Sequence, residues 1–114
     1  MSKQDWRITA QEILDVISNL ESYIAGRSIE HLQTESMLKD AVLMTLIVIG
    51  EISKQLPPLL KERYSEIEWH GIAGIRNRIA HGYFGVDLGI IWDVATNEVP
   101  RLKQVLTTML RSEQ

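Results

Sequence analysis

The sequence predicts an all-α protein: a four-helix up-and-down bundle with short extra helical turns, in one domain spanning residues 1–114. Three observations carry this. Ile13, Ile17, Leu20 and Ile24 recur at steps of four, three and four, which is one face of a helix. From Met37 to Leu56 apolar residues lie nearly all round the helical axis, and Pro57-Pro58 ends the run. No stretch alternates apolar and polar residues convincingly enough to suggest a strand, and no repeat or low-complexity segment interrupts the helical pattern.

The first helix is expected from Asp5 to Ala25, with Asp5 as N-cap and Gly26 as stop. A polar stretch from Arg27 to Gln33 leads to Thr34, a candidate N-cap for a central helix buried on several sides. Gly50 inside that helix costs about 1 kcal/mol relative to Ala, which points to a close helix–helix contact. Glu51 beside it needs a partner if buried, and reads as a buried structural partner for Arg76 rather than a catalytic base. Leu59 to Tyr64 suits a short helical turn, with Ser65 a candidate cap for the next helix. A third long helix carries Ile72, Ile75 and Ile79 and stops near Gly82. Asp87 then caps a fourth, which uses Ile91, Val94 and Ala95, then Leu102, Val105, Leu106 and Met109. Pro100 is expected to kink it, because proline removes a backbone donor and crowds the previous turn. Met37, Met44 and Met109 read as core fillers. Trp6, Trp69 and Trp92 read as packing or dimer anchors. His31 and His70 are isolated and read as solvated.

Composition narrows the function classes. With no cysteine, disulfides, thiolate metal sites and cysteine redox chemistry are excluded. The start Met-Ser-Lys-Gln-Asp-Trp-Arg has no apolar signal core, and the apolar run from Ala41 to Ile49 falls far short of the roughly 20 residues that span a membrane. The expectation is a cytoplasmic protein without membrane contact. A net charge of −3 argues mildly against non-specific nucleic-acid binding. Yet between Ile52 and Tyr83 five Lys and Arg stand against three Glu, which leaves room for a small basic cleft on an acidic body.

The chemistry concentrates in Arg76-Asn77-Arg78-Ile79-Ala80-His81-Gly82-Tyr83. Because Ile72, Ile75 and Ile79 share one helix face, the segment is expected to bury one side and present polar groups on the others. An imidazole that titrates near neutrality, beside permanently charged guanidiniums, suits proton transfer at a phosphate.

The stretch from Glu68 to Tyr83 resembles the HepT-like branch of the HEPN superfamily. That family carries an Arg, four to six variable residues and a His, and the HepT branch adds one residue and a Tyr. Here the match is Arg76, four residues, His81, Gly82 and Tyr83. Ile49-Gly50-Glu51, the proline pair after it, and Val86-Asp87 leading to Ile91-Trp92 extend the likeness in order along most of the chain. The resemblance implies a HEPN-like, homodimeric helical toxin with metal-independent ribonuclease activity and no cofactor, in a type VII-like toxin–antitoxin system. It also implies a cognate minimal nucleotidyltransferase antitoxin of the MntA type, which neutralises the toxin by transferring AMP to the motif tyrosine. Carried over, Arg76 and His81 become the catalytic pair, Tyr83 the modified position, and RNA the substrate.

The chemistry is feasible. A ribose 2′-OH attacks the adjacent phosphate if a base removes its proton and a cation steadies the developing charge; His81 and Arg76 suit those roles. The spacing presents one geometric difficulty. Five residues on a straight helix rotate about 500°, which leaves Arg76 and His81 about 140° apart. Either the helix unwinds before His81, or a partner subunit completes the site across a two-fold axis, with Asn77 orienting the His81 ring; the second is favoured. Competing structural readings are a C-terminal helix cap for His81, an ion pair for Arg76 and simple packing for Tyr83. Arg78 fits a surface ion pair and an RNA contact equally. A different class of function also fits: a non-catalytic nucleotide-binding module that partners a nucleotidyltransferase.

Overall fold

A computed structural model describes residues 5–79 and 85–113. His81 and Tyr83 lie outside the described residues, as does the expected helix stop at Gly82. Among the described residues all regular structure is helical. Helix α1 (Trp6–Ile24) starts where expected, with the Asp5 carboxylate accepting from the Arg7 backbone N–H at 2.9 Å. It lies against α3 (Ser36–Ser53) and the last helix.

The polar stretch after α1 departs from expectation, because most of it forms a short helix, α2 (Ile29–Thr34). Leu32 anchors it in the core, and the His31 ring Nδ1 accepts from the Ser28 backbone N–H at 2.9 Å. An ion pair between Arg27 and Glu35 spans the helix. His31 is therefore a capping group rather than a solvated side chain, and Glu35, not Thr34, occupies the N-cap of α3.

Helix α3 buries Leu38, Val42, Leu46 and Ile49. It is not enclosed all round. Met37 is 88% exposed and Met44 61%, so of the three methionines assigned to the core only Met109 belongs there. Met37, Ala41, Met44, Val48 and Glu51 recur at steps of four, three, four and three and so form one stripe along the helix, beside the buried face. Gly50 marks the close approach that its position predicts. A Cβ there would lie 2.5 Å from the Ile72 carbonyl oxygen, so the backbones of α3 and α5 nearly touch.

After Pro57, α4 (Pro58–Arg63) is the expected short turn, with proline in its first turn. Ser65 is not the cap of the next helix; Glu68 holds that position. The long third helix is broken into α5 (Trp69–Ala73) and α6 (Ile75–Ile79). Gly74 makes the break: its N–H donates to the His70 carbonyl, and a Cβ would sit 3.2 Å from that oxygen. Ile72, Ile75 and Ile79 still point inward together, each burial contributing about 1.5–3 kcal/mol.

The chain is helical again from Leu88 to Ser112. Asp87 caps α7 (Leu88–Asp93), accepting from the N–H groups of Gly89 and Ile90. Just ahead of Pro100, the five residues Val94–Glu98 widen into a π-helical turn before α8 (Val99–Ser112). Proline offers no N–H and its ring crowds the carbonyl one turn back; a wider turn relieves both conflicts. The three tryptophans pack partly buried against the core, and the Trp69 indole donates to the Tyr64 carbonyl at 3.0 Å. No described helix is long and apolar enough to cross a membrane.

The close approach at Gly50 has a measurable consequence. Gly50→Ala should gain helix propensity yet lose stability, by about 1–3 kcal/mol, because the added methyl meets backbone that cannot rotate away. Urea unfolding would measure it; a variant as stable as wild type would contradict the close approach.

Candidate functional site

Helix α6 presents the described part of the motif. Its own backbone is held by the Gly74 carbonyl, which accepts from the N–H groups of Asn77 and Arg78 at 2.9 and 3.1 Å. Ile75 and Ile79 sink into the core, leaving Arg76, Asn77 and Arg78 exposed. Residues two apart on a helix project about 200° from one another, so the two arginines serve opposite sides of α6.

Arg78 faces α8 and the π turn. Its two terminal nitrogens donate to the two carboxylate oxygens of Glu98 at 2.9 and 3.0 Å, a bidentate pair. That hydrogen bonding, reinforced by the charges of Glu98 and Asp93, pushes the guanidinium pKa above its ordinary value. The pair stands in a cleft of about 750 Å³ whose other charged lining groups are Glu66, Glu68, Asp93 and Arg101. Of the two uses foreseen for Arg78, the ion pair is the one present, although its partner comes from a distant element.

Arg76 faces the other way, toward α3. Among the described residues no hydrogen bond or ion pair engages it. It lies near enough to Glu51 for its charge to be felt there. Glu51 itself is not the buried partner that the sequence suggests. It is half-exposed and pairs with Lys54 at 2.8 Å. The Lys54 hydrogen bond, and then the charges of Lys54 and Arg76, hold the Glu51 carboxyl below its usual range against the opposing effect of desolvation. Lys54 sits three residues after Glu51 and was legible as a helical pair. Glu98 was not legible as the partner of Arg78, because nothing local in the sequence joins them. Asn77 is exposed on the outer surface of α6, while His81, the ring it is expected to orient, and Tyr83 lie outside the described residues. Among the described residues no three His, Asp or Glu side chains come together to hold a metal ion.

The described residues define an all-helical fold whose short, core-anchored helix α6 carries Arg78, paired with Glu98, on one side and Arg76, with no partner among the described residues, on the other. The chain belongs to the HepT-like ribonuclease family, whose family model, "Ribonuclease HepT-like", matches residues 13–109. It is similar to a "Putative RNase" of Caldanaerobacter subterraneus subsp. tengcongensis, at 34% identity over 91% of this chain and 93% of that protein. A "Probable ribonuclease HepT" of Thermococcus cleftensis is 31% identical over 82% and 84%. A third relative, from Methanocaldococcus jannaschii, is named "Gamma-glutamylcyclotransferase and putative RNase". It is 33% identical over 95% of this chain, which spans about half (49%) of that relative's length. No solved structure matches.

The electrostatics predict that Lys54→Ala raises the Glu51 pKa toward its ordinary value, and that Arg76→Ala raises it by less. NMR titration of the Glu51 carboxyl carbon would measure both. An Arg76→Ala titration identical to wild type would contradict the proximity of the two groups.

Proposed function

We propose that this protein is a metal-independent RNA endonuclease, the toxin of a type VII-like toxin–antitoxin pair, with Arg76 and His81 as its catalytic groups. The observation that carries the reading is Arg76, exposed on a core-anchored motif helix and without a partner among the described residues, in a chain of the HepT-like ribonuclease family. His81 removes the proton of a ribose 2′-OH, which attacks the adjacent phosphorus. Arg76 donates to the non-bridging oxygens as negative charge builds on them. The 5′-oxygen leaves with a proton taken from water, and the other fragment retains a 2′,3′-cyclic phosphate.

The active species is a homodimer with a HEPN-like bundle in each copy. Two features support a second copy of the chain as occupant of the α3 stripe. Exposed Met37 and Met44 form an apolar band that a two-fold axis can pair with itself, and the band leads through Glu51 toward Arg76. Such pairing brings the motif helices of both copies toward one groove, which answers the angular separation of Arg76 from His81 on one helix. A cognate MntA-like nucleotidyltransferase silences the enzyme by attaching AMP to Tyr83, where added phosphate charge and bulk repel RNA.

The competing reading, a nucleotide-binding module without catalysis, separates cleanly in one assay. With total RNA and EDTA, wild type should cleave and leave cyclic phosphate ends, while His81→Ala should lose roughly 10²–10⁴-fold in rate. Absence of cleavage by either protein, or products with only a 3′-hydroxyl, would contradict the proposal. Met44→Glu should shift the protein to monomer in light scattering and abolish cleavage; a monomer with full activity would exclude the shared site.

A further inference from the structure

The Arg78–Glu98 pair joins residues twenty apart in sequence and belongs to no expected element of the reaction. Helix α6 has five residues, too few to hold a helical conformation by itself. Gly74 breaks it from α5, so its orientation depends on side chains. Ile75 and Ile79 fix one edge along the core, and the guanidinium fork of Arg78 on Glu98 fixes the opposite side. The fork leaves little angular freedom, because both nitrogens must face both oxygens. Glu98 in turn closes the π turn ahead of Pro100.

We propose that Glu98 is a positioning residue for the motif helix. By gripping Arg78 it sets the rotation of α6 about its own axis, and with it the direction of Arg76. Arg78 is occupied by this grip and does not contact RNA. The surroundings of the pair agree. Glu66, Glu68 and Asp93 line the same cleft against one further cation, Arg101, so a phosphodiester approaching Arg78 would meet a net excess of carboxylates. On the other side of α6 Arg76 faces Glu51, whose charge Lys54 already balances. The two arginines of the motif therefore divide the labour, one holding the helix and the other free for phosphate.

This inference rests on the ribonuclease reading for its kinetic test only. Glu98→Gln keeps the shape of the side chain and removes the charge that holds the fork. Its kcat on a defined RNA oligonucleotide should fall roughly 10- to 100-fold, the scale of a displacement near 1 Å at a reacting group, with KM nearly unchanged. The exchanged pair, Arg78→Glu with Glu98→Arg, should recover most of the loss, which a direct RNA contact by Arg78 could not allow. Hydrogen exchange of the free protein provides a readout independent of activity: amides of Ile75–Ile79 should exchange faster in Glu98→Gln, while those of α1 stay protected. Unchanged protection of α6 would overturn the proposal, as would a lower KM with kcat retained, the signature of an Arg78 released to bind RNA. Should wild type not cleave RNA, the ribonuclease reading fails, and the exchange experiment still decides the role of Glu98.

Discussion

The near-contact of two backbones at Gly50 positions the described part of the motif. With no side chain there, α3 reaches the Ile72 carbonyl of α5, and that approach sets how deep the next isoleucines can sink. Ile75 and Ile79 then fix one edge of a helix too short to stand alone. A glycine in mid-helix costs propensity; here the gain is a motif helix docked directly on the central one. The function proposed for this chain depends on α6, and α6 depends on that fit.

Charge is distributed around α6 with the same economy. Two guanidiniums two residues apart point in opposite directions, and each meets a different carboxylate environment. Glu98 takes both donor nitrogens of Arg78. Glu51 is satisfied by Lys54 and only senses Arg76. A net acidic protein can thus keep one cation unspent at the place where a phosphate is proposed to dock. The exposed methionines of α3 lie about two and four turns before Glu51 on one stripe of the helix, so the apolar stripe proposed to join two copies runs toward the carboxylate that senses Arg76.

Much of this was legible in the sequence, and the failures share a cause. Period alone identified the buried faces of α1 and α8, and the cap at Asp87 came from local chemistry. The exception at Gly50 was legible too, because a glycine amid good helix formers needs a packing reason. What local pattern could not supply was information about distant partners. Helix α2 looked polar because its stability comes from Leu32, a histidine cap and the Arg27–Glu35 pair rather than from an apolar stripe. Met37 and Met44 read as core because hydrophobicity alone does not distinguish an exposed apolar stripe from an interior. Gly74 looked compatible with one continuous helix because its cost is modest, and only the packing of α5 against α3 makes the break worthwhile. The Arg78–Glu98 pair depends on the π turn before Pro100, a change of register that no periodicity announces.

At the centre of the proposed mechanism, an Arg76 and a His81 serve one phosphate from two different copies of the chain. Subunit mixing tests this most directly. Homodimers of Arg76→Ala and of His81→Ala, each inactive, should regain cleavage when their subunits are exchanged, since a mixed dimer carries about one intact composite site. If exchange is verified by native mass spectrometry and the mixture stays inactive, the two groups do not meet across the interface and the composite site is wrong.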